Sequence, residues 1–189
     1  MVTSKTTPLI FVLISCLGYA QTISTRFPGK QSELISPNRQ YILRDVDNSP
    51  EARHSILLVD RTTGSIRKVY EYTRHVGLIW SPDSSRFALN DYAGSDLTNT
   101  YIVATNEITP RIDVQQEISN KARGLSVGHH EYFGVARWLD NGRVVVHHWG
   151  HGDKNMFCRC YIYSLNGAVQ TCPKQLRGSN PAQCQDMTP

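Results

Sequence analysis

Apolar and polar residues alternate along this chain in short runs, and turn-forming residues separate the runs. The clearest example is segment 77–89, GLIWSPDSSRFAL, where an apolar run ending at Trp80 meets a Ser-Pro-Asp-Ser-Ser turn and a second apolar run follows. Pro82 presets φ for the second turn position, and the side chains of Asp83 and Ser84 can bond back to the backbone. The pattern predicts two antiparallel strands joined by a tight turn.

The same arrangement occurs twice more. Residues 134–146, GVARWLDNGRVVV, repeat it with a turn one residue shorter, and residues 34–43, LISPNRQYIL, repeat it more weakly. Each copy leads into further short strands, and the whole pattern recurs about every 45–55 residues. We therefore predict an all-β fold of three four-stranded antiparallel blade-like repeats, a partial or open propeller, over residues 34–172.

The repeats are expected at about 34–80, 81–138 and 139–172. They are flanked by a loosely held polar lead-in at 21–33 and a Pro-, Gln- and Ser-rich tail at 173–189, which only Cys184 is expected to fix.

The second repeat is interrupted by a pattern of helical type. Thr109 is a candidate N-cap and Pro110 a candidate first helical residue. The apolar positions that follow fit one helical face, and they are Ile112, Ile118, Ala122 and Leu125. A short inserted helix is therefore predicted over residues 110–124.

The segment Trp80–Leu89 resembles the repeat of TolB-type and related WD-like β-propellers. In that family a Ser-Pro-Asp-Gly turn joins one blade's last strand to the next blade's first, and Ser84 stands here in place of the glycine. The resemblance implies a propeller fold and protein–protein contact. Three units fall short of the usual minimum of about four blades in a closed ring. Either the helix and the tail cover the exposed edges, or two chains close one ring as a homodimer.

The first twenty residues have the features of a secretory signal peptide. Lys5 supplies a positive charge, residues 8–14 are apolar, and Gly18 and Ala20 are small residues before a cleavage site at Gln21. A second interpretation is that residues 13–16, LISC, form a lipoprotein lipobox, with Cys16 lipidated and the protein anchored to a membrane.

The four remaining cysteines lie in the last 32 residues, at positions 158, 160, 172 and 184. In an exported chain an even number of cysteines indicates disulfides. Residues two apart on a strand rarely bridge each other, so we expect Cys160–Cys172 across a hairpin and Cys158–Cys184 at the tail. A four-thiolate zinc site is the alternative, but Cys-x-Cys matches the usual zinc spacing poorly.

The net charge of the chain is mild. It amounts to +4 at pH 7, from 20 Lys and Arg against 16 Asp and Glu. The sequence has no Lys/Arg run of the kind that follows a phosphate backbone. We therefore expect no nucleic acid partner.

Aligning the repeats without a gap places residues 90–96 over residues 147–153, and residues 44–47 at the same point of the first copy. Their loop tips are expected to project at one end of the fold, where propellers commonly bind ligands. The expected binding face consists of Asp45, Asn90, Asp91, Tyr92, Asp96, His148, Trp149, His151 and Asp153. The alternative is that the polar residues serve the turns and the aromatic residues pack between blades.

The histidines allow a metal site as an alternative. Neighbouring strand residues point to opposite faces, so at most one of His147 and His148 can join His151 and a partner such as His130 or Asp153. His148, His151 and Asp153 are the candidate zinc ligands. No His-Glu-x-x-His motif, no Gly-x-Ser-x-Gly elbow and no Gly-rich phosphate loop is present, and we assign no catalytic residue and expect no cofactor.

The sequence thus predicts an exported bacterial protein that acts as a non-catalytic protein-binding module of the cell envelope. It would be periplasmic or secreted, or a membrane-anchored lipoprotein, with an envelope or extracellular protein as its partner. The alternative is a metal-binding protein or metal-dependent hydrolase that uses the loop tips rich in His and Asp.

Overall fold

The structure is a computed structural model, and it describes residues 22–48, 53–94, 97–106, 109–122, 130–151 and 156–173. These residues form thirteen strands and one short helix, arranged as three antiparallel sheets that stay open. The predicted fold class is therefore confirmed. The predictions outside the described residues concern the leader at 1–20, Cys16, Asp96, Asp153, Cys184, the tail beyond residue 173 and the side chain of His151.

Each sheet is built mainly from strands consecutive in sequence. The first sheet has the order β2 (Glu33–Ile35), β3 (Tyr41–Asp47), β4 (His54–Asp60), β5 (Ile66–Tyr72). The middle sheet has the order β1 (Ser24–Phe27), β6 (Val76–Trp80), β7 (Arg86–Asp91), β8 (Asn99–Ala104), β9 (Ile112–Asp113). The third sheet has the order β10 (Glu131–Trp138), β11 (Arg143–His151), β12 (Met156–Ser164), β13 (Val169–Thr171).

The turns of the first two copies have the same hydrogen bonds. Ser36 Oγ accepts from the backbone N–H of Tyr41 at 2.9 Å, and Ser81 Oγ accepts from that of Arg86 at 3.0 Å. The residue three positions after each serine has a positive φ, 61° in the first turn and 63° at Ser84 in the second. Ser84 therefore adopts the left-handed conformation that glycine adopts without strain.

These turns do not join one unit to the next. Each joins two neighbouring strands within one sheet, β2 to β3 in the first sheet and β6 to β7 in the middle sheet, because so short a turn connects antiparallel neighbours that share hydrogen bonds. The runs of consecutive strands in the middle and third sheets therefore begin at Val76 and Glu131, one strand earlier than the predicted repeats at 81 and 139.

Two tryptophans make the same contact between neighbouring sheets. Trp80 Nε1 donates to the carbonyl oxygen of Leu34 at 3.3 Å, and Trp138 Nε1 donates to that of Ile79 at 3.1 Å. Leu34 and Ile79 both lie two residues before the first turn residue of their sheet, Ser36 in the first case. The two tryptophans occupy equivalent environments, as expected for one module repeated along the chain.

In the lead-in predicted at 21–33, the described residues 22–33 are not as loosely held as their polar composition predicts. Residues 24–27 form β1, which pairs with β6 along the edge of the middle sheet. Phe27 is fully buried in the core between the first and middle sheets, and Ile23 packs against that core. The burial of these two apolar side chains explains why the segment is ordered.

The inserted helix, α1 (Val114–Lys121), is shorter than the predicted span of 110–124. Asp113 is its N-cap instead of Thr109, because its carboxylate accepts from the N–H of Gln116 at 2.9 Å. Ile112 belongs to β9. The described part of the chain contains no helix with the length and apolar character needed to cross a membrane.

The predicted Cys160–Cys172 disulfide is present, with Cα atoms 5.3 Å apart. The N–H of Cys172 also donates to the carbonyl of Cys160 at 2.9 Å. Cys158 is disulfide-bonded as well, and its predicted partner Cys184 lies outside the described residues.

Candidate functional site

Tyrosines of β5 hold two of the carboxylates expected at the loop tips. The hydroxyl of Tyr72 donates to Asp45 at 2.8 Å, and Nδ1 of His54 lies 3.3 Å from the same carboxylate oxygen. The hydroxyl of Tyr70 donates to Asp91 Oδ2 at 2.8 Å. A carboxylate of the first sheet and one of the middle sheet are therefore bonded within the fold.

Asp91 is buried and only 4% exposed. Burial raises the pKa of this carboxyl, although the hydrogen bonds from Tyr70 and Asn99 act in the opposite direction. Among the described atoms, Asp91 Oδ1 has no hydrogen-bond partner. A carboxyl group that is buried and bonded to Tyr70 and Asn99 in this way is not exposed to a ligand.

Asn90 and two threonines bond to the backbone of β10. The side-chain amide of Asn90 donates to the carbonyl of Val135 and accepts from its N–H, both at 2.9 Å. Thr100 donates to the carbonyl of Phe133 at 2.8 Å, and Thr98 accepts from its N–H at the same distance. Side chains of the middle sheet and of the loop before β8 thus provide the hydrogen bonds that a neighbouring strand would otherwise make to the edge of the third sheet.

Tyr92 and Trp149, which the repeat alignment places at equivalent positions, pack in one cluster. Tyr92 stacks on His75 at 4.7 Å, and Trp149 stacks on Tyr132 at 5.7 Å. The Trp149 ring also covers Gly134, where an added Cβ would lie 3.2 Å from it. Both rings are almost completely buried, and burial raises the pKa of Tyr92 to about 12.

His148 is fully buried on β11, on the same face as Val144 and Val146, which pack against the middle sheet. Its Nε2 lies 2.9 Å from Glu131 Oε2, and its ring stacks on Phe133 at 4.2 Å and meets the edge of Phe157 at 4.9 Å. In the described part of the chain, no three His, Cys, Asp or Glu side chains are grouped so that they could hold a metal ion. The zinc alternative also needs His151 and Asp153, and it stays a prediction.

These placements favour the alternative in which the described tip residues pack and bond inside the fold. Asp45 and Asp91 bond to tyrosines, Asn90 and His148 are buried, and Tyr92 packs with Trp149. Asp45, Asp91 and His148 lie toward the ends of β3, β7 and β11. The sequence did not show that the partners of Asn90 and Asp91 come from a neighbouring sheet.

The buried histidines predict a loss of stability in mild acid. Burial lowers the pKa of His148 by more than Glu131 raises it, and burial together with Arg137 lowers the pKa of His147. Their contribution to stability is therefore present above the unfolded-state pKa of about 6.5 and is lost as the pH falls toward the folded-state pKa. We expect the melting temperature to fall below pH ~6.5, and less steeply in His148→Phe, when measured by calorimetry between pH 5 and 8.

The control for this measurement is His130→Asn, which removes an exposed histidine at the start of the same sheet. It is expected to leave the pH profile unchanged, and asparagine tolerates the positive φ of 61° at that position. A wild-type melting temperature that does not change over this range would contradict the prediction.

The outer face of the first sheet, which points away from the middle sheet, carries apolar side chains that the sequence analysis did not identify. Cross-strand pairs Ile35–Ile42, Ile42–Val59 and Val59–Ile66 form a continuous line across all four strands, which we call the apolar row. Ile35 is 45% exposed and Ile66 59% exposed, whereas the two central members are half-buried. The row gives the first sheet a hydrophobic strip that no element of the described ranges covers.

A mixed row lies beside the apolar row on the same face. It consists of Glu33, Arg44, Leu57 and Lys68, which are again cross-strand neighbours. Glu33 bonds Arg44 at 2.8 Å, and Lys68 bonds Glu71 at 2.6 Å. The charges of Glu33, Arg44, Lys68 and Glu71 sum to zero. The outer face is therefore apolar along one line and has no net charge beside it.

The sequence contains a signal for this face. Residues 56–59, ILLV, form an unbroken apolar run in β4. A strand with only one buried face alternates, and a continuous run indicates that both faces are normally covered. Ile56 and Leu58 face the core, whereas Leu57 and Val59 lie on the outer face.

Comparison with known proteins agrees with the architecture. The sequence matches no protein-family model and no curated protein. The structure is similar to the β-propeller domain of the Trilobed protease from Pyrococcus furiosus, described as having an open velcro topology, with a TM-score of 0.52 and 19% identity. The match covers 75% of this chain and 42% of that one, so the chain spans less than half of the structure it matches. The chain therefore has a β-propeller-like fold.

Proposed function

We propose that this chain is a non-catalytic protein-binding module that acts outside the cytoplasm, in the bacterial cell envelope. It binds a protein partner on the outer face of the first sheet. The observation that carries the proposal is the apolar row, Ile35, Ile42, Val59 and Ile66, exposed at both ends on a sheet face that no other described element covers.

The distribution of exposed apolar side chains supports a protein as the ligand. Two of the three exposed large hydrophobic residues in the described ranges, Ile35 and Ile66, belong to this row. The third, Leu97, lies in the loop between β7 and β8. A contiguous apolar strip with charged residues beside it is typical of protein–protein contact surfaces.

Export is supported by the leader pattern at residues 1–20 and by the Cys160–Cys172 disulfide, since disulfides persist in oxidising compartments. The resemblance of Trp80–Leu89 to TolB-type propeller repeats agrees with a binding role in the envelope.

The alternative function, a metal-dependent hydrolase, has less support. Of its three candidate ligands, only His148 has a described side chain, and that side chain is buried and bonded to Glu131.

Site-specific photocrosslinking in cells tests the proposal. A photoreactive amino acid replaces Ile66 in the full-length chain, and the cells are irradiated and fractionated. We expect a discrete protein adduct in the envelope fraction or the medium, because the apolar row contacts the partner directly.

The matched control carries the same photoreactive residue at Leu97, which is 49% exposed but lies outside the row. It is expected to give little or no adduct. Equal labelling from both positions, or adducts confined to the cytoplasm, would refute the proposal.

A further inference from the structure

We propose that the protein which occupies the apolar row is a second copy of this chain, packed face to face on the first sheet about a two-fold axis. This inference rests on the proposed function and names the partner of that surface.

The first sheet lacks the tryptophan with which the middle and third sheets each bond to the preceding sheet. Trp80 and Trp138 each donate a hydrogen bond to a carbonyl of the preceding sheet. The equivalent position of the first sheet, one residue before Ser36, holds Ile35, which has no donor. Without a donor at this position, the face cannot make the bond that joins one repeat to the preceding one. Its apolar side chains are instead suited to packing against another apolar row.

A ring closed by two chains requires a second free surface, on the far face of the third sheet. That face is already buried, because Val145, Ile162 and Cys172 on it are each at most 9% exposed. This burial blocks head-to-tail closure, in which the first sheet of one chain would pack on the third sheet of the other. The outer face of the first sheet can then pack on the same face of a second copy. A contact between two identical patches is the isologous type that closes at a dimer.

The charges on this face are self-complementary. We consider a two-fold axis that runs parallel to the strands, between the two faces and midway between β3 and β4. It places β2 of one copy over β5 of the other and keeps each residue at the same position along the strand direction. The apolar row then packs on itself, with Ile35 against Ile66 of the second copy, and Glu33 faces Lys68 of the second copy. Aligned sheets that pack face to face are a common arrangement of β-proteins.

The size of the face indicates a weak dimer. Three strands of seven residues and one of three, at about 3.3 Å per residue and ~4.8 Å between strands, cover about 380 Å² per copy. This is below the ~800 Å² per partner of a standard stable interface, so association should depend on concentration.

Sedimentation velocity of the purified, disulfide-bonded protein over a range of concentrations tests the inference. We expect a reversible monomer–dimer equilibrium, weakened at least about tenfold by Ile66→Asp and unchanged by Leu97→Asp. Glu33→Lys and Lys68→Glu should each weaken the dimer, because each places like charges opposite one another. The double variant should restore it, and circular dichroism checks that every variant is folded.

Three outcomes overturn the inference. They are a monomer at every concentration, a dimer that Ile66→Asp does not weaken, and a double charge reversal that fails to restore association. If the protein is monomeric while position 66 still crosslinks to a different protein in cells, the inference fails and the proposed function stands. If position 66 gives no adduct either, both fail.

Discussion

Replacing Trp80 with alanine is expected to lower the free energy of unfolding by about 4 kcal/mol. The Trp80 side chain is almost fully buried, stacks on Tyr41 with ring centroids 6.4 Å apart and meets the edge of Phe87 at 5.4 Å. It also donates the hydrogen bond to Leu34 that joins the first and middle sheets. Alanine would leave a cavity at this boundary and remove the hydrogen bond to Leu34, and guanidinium denaturation measures the loss.

Trp80→Phe separates the two contributions, because phenylalanine fills most of the cavity and removes only the N–H donor. It should cost about 1 kcal/mol, the typical value of one hydrogen bond. A loss below about 1 kcal/mol for Trp80→Ala would contradict the assignment of this residue as the link between the sheets.

The repeat was predictable because it is encoded locally. Ser81, Asp83 and the apolar residues on either side specify a hairpin by themselves, and the first copy uses Ser36 and Asn38 in the same way. The error in the unit boundaries has an equally simple origin. Turn residues show that two strands are adjacent, but they carry no information about which further strands complete the sheet.

The surroundings of the loop-tip residues could not be predicted from the same pattern. Asp91 bonds to Tyr70, 21 residues earlier, and Asn90 bonds to Val135, 45 residues later. Such partners depend on how whole sheets pack. The apolar row is different, because the run at residues 56–59 indicates a strand covered on both faces. The sequence therefore contained the evidence for the exposed face, whereas it gave none for the buried bonds at the tips.

Replacing Asn90 with leucine is expected to cost about 4 kcal/mol, because it leaves two buried backbone groups of Val135 without partners. Asn90 is almost fully buried, and each of its amide atoms makes one 2.9 Å bond to that residue. Asn90→Asp separates the donor from the acceptor. Its carboxylate still accepts from the N–H of Val135, but it faces the carbonyl oxygen with a buried negative charge. We expect Asn90→Asp to be at least as destabilising at pH 7 and less so in acid, where the carboxyl is protonated and can donate.

The matched control is Asn120→Leu, the same substitution at an exposed position of α1, which should change stability by less than about 0.5 kcal/mol. Denaturation curves of the three variants at pH 7 and pH 5 make the comparison. If Asn90→Leu were no more destabilising than Asn120→Leu, the edge of β10 would not depend on this amide. The middle and third sheets would then be held together by apolar packing alone, and the side-chain bonds from Thr98 and Thr100 would be expected to be equally dispensable.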